Sequence, residues 1–429
     1  MTDYIDTYYS RTLEGDMHYP ALQDHVSADI CVIGAGFAGI ATALGLVQRG
    51  KSVVLLESRR IGFGASGRNG GFVIAGYGMG EKQLVKKVGR THAVDLYNLT
   101  ITARTLIRKR IKDYNIPAHP VDGQLICSWY DTPGHEEEAS YLHDVFGENT
   151  EYWDKDKVRA HCQTEHYYDG LVMKDNFHMH PLNYVHGQAK AIKQAGGRIY
   201  EQSEAVRVEE KASGTKIVHT PQGSVTSEHV VFCGSAYFNG LNKKLSRSCL
   251  KVSTYVMVTE PIPQEKLDTA IKSKMCIRDT RYADDYYRIL PDNSLLWGGR
   301  CGVNRAPPPD QLKDMMMGDL LKVYPQLAGV KARVAWSGLM GYNVYKLPHI
   351  GKFSEGIWYC TNFGGHGVCP TTAGGEVIAS AIAEGSEDYK LFEPFGFAYT
   401  GGVFGPVVAQ AVYHSWELMD KLRGIGRRA

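Results

Sequence analysis

"ADICVIGAGFAGIATALGLVQRGKSVVLLES", residues 28–58, is the stretch on which the fold turns. An apolar run at 29–33 reads as a buried strand, a glycine turn follows, apolar positions at helical spacing run from about 37 to 49, and a second aliphatic run fills 52–56. Strand, turn, helix and strand in that order make a βαβ unit. Gly34, Gly36 and Gly39 stand at G-x-G-x-x-G spacing, with Ala35, Phe37 and Ala38 between them. Glycine permits the tight turn at 34, the approach of a pyrophosphate to the backbone at 36, and close helix–strand packing at 39. The helix beginning there directs unpaired N–H groups and its positive end at the phosphates. Glu57 follows Gly39 by 57 − 39 = 18 residues, where a carboxylate accepts hydrogen bonds from ribose hydroxyls and disfavours a 2′-phosphate. With Ser58 beside it, the segment predicts a dinucleotide site, and argues against NADP.

A second glycine stretch, "IGFGASGRNGGFV" at 61–73, places five glycines in thirteen positions just after that unit has closed. A nicotinamide site has no use for it, whereas a flat ring system can lie against backbone only where side chains are absent. Ser66 and Arg68 supply hydroxyl and guanidinium donors for phosphate oxygens. A flexible surface loop is the competing reading.

Outward from this core, residues 1–27 are polar and tyrosine-rich and read as an arm draped over the surface. Apolar residues from 83 to 113 recur at three- and four-residue steps, predicting one or two long amphipathic helices. "PLNYVHGQAKAIKQAGG" opens on Pro181 and stops at Gly196, a helix returning the chain to the first sheet. "KVSTYVMVTEP" and "YYRILPDNSLLWGGR" alternate and are turn-bounded, as antiparallel strands of another layer are. With 429 residues the chain suits two interleaved domains. A formal charge of +2 leaves no broad footprint for nucleic acid. The nine cysteines show no metal-binding spacing and read as reduced, mostly buried thiols of a cytoplasmic protein. No apolar run is long enough to span a membrane and no secretory leader is visible. His178 and His180 alternate on one strand face, but without an evident third ligand no metal is expected.

The segments 29–73, "DTRYADDYYRILPDNSLLWGGR", "LPHIG" and "GGHGV" together resemble, in order and over nearly the whole chain, the FAD-dependent D-amino-acid-oxidase-like (DAO) superfamily, closest to its γ-glutamylputrescine oxidase type. The resemblance implies an α/β fold: a Rossmann-like FAD-binding domain (28–85, 150–245 and 335–429) and a discontinuous α+β substrate domain on an antiparallel sheet (86–149 and 246–334). It implies that Ser66, Arg68, Asn69, Gly70 and Gly71 line FAD, that the main chain of Val206 in "SEAVRV" holds the adenine, and that Cys233 and Gly234 in "FCGSAY" cover the pyrophosphate. Gly364, Gly365, His366, Gly367 and Val368 then form the C-terminal flavin loop, opening a helix whose N-terminus stabilises negative charge on the reduced ring.

Sarcosine-oxidase-type relatives attach FAD through a cysteine before "P-x-I-G"; "GLMGYNVYKLPHIG" has none, so noncovalent FAD is expected. They also carry a carboxylate-binding lysine after G-H-G, where this chain has Cys369 or its neighbours, and an oxygen-associated lysine where Leu296 aligns. Those departures disfavour a small N-methyl amino acid as substrate. On the strand above the ring, Tyr287 and Arg288 are candidates for substrate contact, with His366 as the third catalytic candidate; Tyr286 and Arg300 read as ordinary half-buried strand residues. The expected reaction is oxidation of an amine. A hydride passes to flavin N5, the imine hydrolyses to aldehyde, and oxygen reoxidises the flavin to give hydrogen peroxide. A dehydrogenase passing electrons to a carrier, and a non-catalytic flavin-binding module whose C-terminal helix docks a partner, are the alternatives. The amine and the oligomeric state are not set by the sequence.

Overall fold

The computed structural model describes residues 4–425 apart from 133, 239, 304, 305 and 403, so the first three residues of the arm and the last four of the chain lie outside it. The βαβ unit forms as the spacing predicts: strands Ile30–Ile33 and Val53–Leu56 pair in parallel, joined by the helix Phe37–Gln48. All eight strand residues are buried, because helices cover one face of this sheet and the small four-stranded sheet, through Val218 and Val225, covers the other. Beside them lie His229–Phe232 and Ile357–Thr361 on one side and Arg198–Tyr200 on the other, all parallel, with His349–Ser354 antiparallel at the edge. The helix Val368–Glu384 returns to this domain and packs on Phe37–Gln48 through small residues. A Cβ on Gly375 would meet Ala41 Cβ at 2.6 Å, and one on Gly45 would meet Ala379 Cβ at 2.9 Å.

The second layer is a nine-stranded, mostly antiparallel sheet running from Ala332–Tyr342 through Leu250–Thr259, Leu295–Gly302, Tyr286–Ile289, Cys276–Asp279 and Val121–Cys127 to Gly170–His178. The molecule is thus an α/β protein with a Rossmann-like sheet and an antiparallel sheet whose strands come from separated parts of the chain. Two strands differ from the expected spans. Gly170–His178 lies within 150–245 yet pairs with Val121–Cys127 in the antiparallel sheet, and Ala332–Tyr342 straddles residue 335 while pairing with Leu250–Thr259. Gly89, at φ +84°, divides the predicted long helix into Glu81–Val88 and Arg90–Asp113.

The N-terminal arm is mostly exposed or half-buried but inserts Tyr8, Tyr9, Tyr19 and Leu22 into the interior. Tyr8 and Tyr9 pack with Leu182, Leu296 and Trp336, and Tyr9 accepts a hydrogen bond from Arg288 through its hydroxyl. Tyrosine suits this position because its ring fills an apolar gap while its hydroxyl answers a buried polar partner. The arm's last residues, His25–Ser27, add a strand to a small four-stranded sheet. None of the nine cysteines forms a disulfide, and seven are buried. No helix among the described residues is long and apolar enough to cross a membrane.

Candidate functional site

A single cavity of about 1090 Å³ runs between the two sheets, from the end of the βαβ unit to the C-terminal helix Gly405–Ile425. At its nucleotide end the main chain does most of the shaping. Gly34, at φ +100°, lies back to back with the turn that follows the neighbouring strand: its added Cβ would sit 3.1 Å from the backbone of Cys233 and Gly234. A Cβ on Gly36 would enter the cavity and meet only Ser66, Oγ at 3.0 Å. Gly39 does not line the cavity, because its Cβ direction points 1.8 Å from the Gly34 carbonyl oxygen; its role is packing, as the motif requires.

The Glu57 carboxylate is placed by three hydrogen bonds: the Ala35 N–H to Oε2 at 2.8 Å, the Arg59 N–H to Oε1 at 2.9 Å, and the Ser58 hydroxyl at 3.1 Å. A carboxylate has about four acceptor positions, so a further one stays open on Oε2. Burial pushes this carboxyl up from its ordinary range, against the lowering effect of those donors. Ala35 thus acts through Glu57 and is not itself a lining residue. Val206 is 53% exposed and gives its N–H to the His219 carbonyl. The lining residues here are Ser203, Glu204 and Ala205, and Val206, the position the family pattern suggested, follows them directly in the chain.

Through the middle of the cavity the second glycine loop forms one wall. Ser66 Oγ accepts the Phe37 N–H at 2.9 Å, which ties the loop to the first turn of the motif helix. Asn69 donates to the Ala65 and Ser66 carbonyls and accepts from the Gly71 N–H, folding the loop on itself. Arg68 donates to the carbonyls of Phe63 and Ser337, lies over the Phe63 ring and pairs with no carboxylate among the described residues. Burial holds it below the ordinary arginine range. A Cβ at Gly70 would sit 2.6 Å from Tyr286 Cε2, whereas Gly71 faces away, toward the Met179 carbonyl and Arg288.

Opposite, Gly364, Gly365, His366, Gly367 and Val368 all line the cavity, and Val368–Glu384 begins there with Gly367 as an uncapped N-cap. Gly365, at φ +82°, leaves room for Tyr342, whose hydroxyl would lie 2.0 Å from an added Cβ. The His366 ring donates from Nε2 to the Ile74 carbonyl at 3.1 Å, and burial, with nearby Arg278, pushes its pKa down to about 4, so it is neutral at pH 7. Cys369 is fully buried behind the loop.

Two of the three catalytic candidates are elsewhere. Tyr287 is fully buried on the far face of the antiparallel sheet, stacked on Trp297 at 4.5 Å, with its hydroxyl bonded to Tyr324 at 2.6 Å and Tyr167 at 3.1 Å. Arg288 faces the glycine loop from behind. It donates to the carbonyls of Gly70 and Met179, to Tyr9 and to His178, which takes four of its five N–H donors. Alternation along the strand was the correct rule, but the parity was reversed: Tyr286 lines the cavity and Tyr287 does not. His178 and His180 each have both ring nitrogens engaged, His178 by Lys274 and Arg288, His180 by Thr12 and Asn183. Burial and Arg288 push both down to about 3, leaving neutral structural imidazoles.

Residues to which the sequence assigned no site role complete the far chamber: Arg278, Asp284, Arg300 and Lys346, with Gln410, Tyr413 and Trp416 from the C-terminal helix. Arg300 occupies a bulge opposite Thr254 and Tyr255 with φ +49° and is bound bidentately by Asp319 at 2.5 and 2.9 Å. Lys346 lies over the Trp416 ring.

A cleft that continues from a nucleotide end past two glycine-lined walls into an aromatic chamber suits a nucleotide joined to a broad ring, and so a flavoprotein oxidoreductase rather than a nicotinamide enzyme. Residues 29–381 match the family model DAO, FAD dependent oxidoreductase, and the chain belongs to that family. It is 33% identical over 98% of its length to a probable oxidoreductase OrdL of Haemophilus influenzae, which it covers to 98%. It is 32% identical over 91% of its length to the γ-glutamylputrescine oxidoreductase of Escherichia coli, covering 92% of that protein. Among solved structures, glycine oxidase from Bacillus cereus superposes with a TM-score of 0.70 at 19% identity, over 85% of this chain and 97% of that one. The cavity fits FAD on its own evidence: Gly36 leaves space a Cβ would fill, the Gly367 helix end is uncapped, and Arg68 is a buried cation without a carboxylate among the described residues.

Proposed function

We propose that the protein binds FAD noncovalently and oxidises an amine of the γ-glutamylputrescine type, yielding an imine that water hydrolyses to aldehyde, with oxygen taking the electrons as hydrogen peroxide. The observation that carries this reading is end-to-end similarity, at 32% identity, to a protein named γ-glutamylputrescine oxidoreductase, joined to an aromatic chamber at the far end of the cofactor cleft. When bound, FAD supplies the two-electron acceptor. The chain's residues would do the rest. Gly36, Ser66 and the first turn of Phe37–Gln48 would hold the pyrophosphate, Glu57 the ribose, and the Gly367 helix end the pyrimidine edge. Tyr286, Tyr342 and Tyr413 would exclude water from the reacting carbon, and a dry aromatic wall disfavours the ammonium form, promoting loss of the amine proton. Neutral His366 would order its loop against Ile74 and border the chamber without adding positive charge.

The cavity segment Gly338–Lys346 contains no cysteine, which supports noncovalent attachment. Leu296 is fully buried against the arm, so no lysine stands there to assist oxygen, and this observation favours a second reading in which a carrier takes the electrons. Anaerobic addition of γ-glutamylputrescine should bleach the flavin absorbance; no bleaching with any amine would remove the substrate class. Reoxidation in air with stoichiometric peroxide supports the oxidase, and reoxidation only by an artificial acceptor supports the carrier.

A further inference from the structure

We propose that Asp284 and Arg278 form a subsite for a zwitterionic α-amino-acid head group, remote from the reacting amine. This deepens, and rests on, the amine-oxidase reading. Beyond the nucleotide end, where Glu57 and Glu204 lie, Asp284 is the one acidic side chain lining the cavity among the described residues. Four cationic or imidazole groups share that region. Arg300 is committed to Asp319, Lys346 lies on Trp416, and His366 is neutral and bonded to Ile74. Arg278 and Lys346 have no hydrogen-bond or ion-pair partner among the described residues, and of the two only Lys346 rests on an aromatic ring.

The sheet places the two charges side by side. Arg278 pairs across strands with Tyr286, and Asp284 precedes Tyr286 by two residues, so all three face the cavity. Arg278 attracts the Asp284 carboxylate electrostatically, yet the two are not joined in an ion pair. Both border the chamber. Their position is also distal. Arg288 touches Gly70, Tyr286 lies against Gly70 and Phe72, and each two-residue step along an extended strand advances about 7 Å, carrying Asp284 away from the loop that would hold the ring.

The turn that presents Asp284 is held from two sides. Arg281 bridges Asp279 and Asp285 beneath it, and Asp420 of the C-terminal helix accepts the N–H groups of Tyr282 and Ala283 at 3.2 and 3.0 Å. A carboxylate and a guanidinium bordering one chamber are the charges complementary to an α-ammonium and an α-carboxylate. A substrate with that head, a linker and a terminal amine would bind by its head and offer its amine to the ring.

The test compares γ-glutamylputrescine with N-acetylputrescine, which carries the same reacting amine and no zwitterion, in the native holoenzyme and in Asp284→Asn and Arg278→Met. Flavin absorbance and thermal midpoint first establish that each variant is folded and loaded. In both variants the ratio of kcat/KM for the two substrates should fall at least tenfold, chiefly through KM for the γ-glutamyl amide. Calorimetric titration with L-glutamine, a head group without the alkylamine, should show binding to the native holoenzyme weakened at least tenfold in each variant. An unchanged ratio overturns the subsite, as does an equal loss of kcat on both amines with a displaced pH profile, which would put Asp284 at the reacting nitrogen. If neither amide reduces the flavin the amine-oxidase reading fails; the glutamine titration then judges the subsite separately, and no binding to the native protein overturns it.

Discussion

Replacing Gly36 separates cofactor binding from folding. An alanine there puts its Cβ 3.0 Å from Ser66 Oγ and 3.9 Å from Ser66 Cβ, with no other heavy atom within 4 Å. The hydroxyl must give way by a few tenths of an ångström, at the expense of its 2.9 Å bond from the Phe37 N–H. Losing most of one such bond costs about 1 kcal/mol, so Gly36→Ala should weaken FAD binding about fivefold. Valine adds two methyl groups that have nowhere to go but the cavity, where the pyrophosphate approaches. Excluding the phosphates from a helix N-terminus forfeits several charge-assisted bonds at about 1.5–3 kcal/mol each, and Gly36→Val should purify colourless while its apoprotein remains folded. Gly39→Ala is the contrasting change, because its Cβ collides at 1.8 Å with the Gly34 carbonyl and should abolish soluble expression. The measurements are the flavin-to-protein absorbance ratio, FAD titration of the apoprotein, and circular dichroism. A Gly36→Val protein carrying stoichiometric FAD would refute the placement of the pyrophosphate.

Glu57→Gln replaces an acceptor oxygen with an amide that either faces the Ala35 N–H donor to donor or turns away from the ribose, so FAD affinity should drop by about 1–3 kcal/mol, read by titration. Tyr287→Phe removes hydroxyl contacts to Tyr324 and Tyr167 and should cost about 1–2 kcal/mol of stability in urea melts with KM for the amine unmoved; a large KM change would restore it to the chamber. Acid should weaken the fold. Burial pushes His178 and His180 down to about 3 and His186, His349 and His366 down to about 4, so each contributes stability that is complete above the unfolded pKa near 6.5 and lost as pH falls toward the folded value. Between pH 7 and 5 that is about 2 kcal/mol per histidine. Asp284 and Asp285, pushed up by burial to about 6 and about 7, recover a similar amount each over the same descent. Five histidines outweigh two carboxylates, and a melting temperature higher at pH 5 than at pH 7 would contradict this balance.

The parts of the site written in consecutive residues are legible in the sequence alone. A strand, a G-x-G-x-x-G turn, a helix and an acid eighteen residues on specify a local geometry that no distant contact can easily reverse. The glycines at 34 and 70 are needed because backbone or ring approaches there, and that need leaves a mark at the position itself. The loop 61–73 tells against a nicotinamide site for the same reason.

Wherever an answer depends on which strand lies beside which, the sequence is silent. "YYRI" reads equally well in either parity, and a one-residue shift sends each side chain to the other face; only pairing with Cys276–Asp279 and Leu295–Gly302 puts Tyr286 in the cavity and Tyr287 among Trp297 and Tyr324. The polar arm has the composition of a surface segment, yet Tyr9 packs against Arg288, residues 279 positions apart. Arg68 suits phosphate or substrate equally by its type, and its anchoring to Ser337 comes from a strand that local pattern cannot connect to the loop. Arg278 stands just outside the quoted motif 279–300 and nothing in that motif marks Asp284; a hairpin and the C-terminal helix bring both to the chamber. Local backbone requirements thus determined the cofactor class, and long-range pairing, which no spacing encodes, decided which side chains meet the substrate.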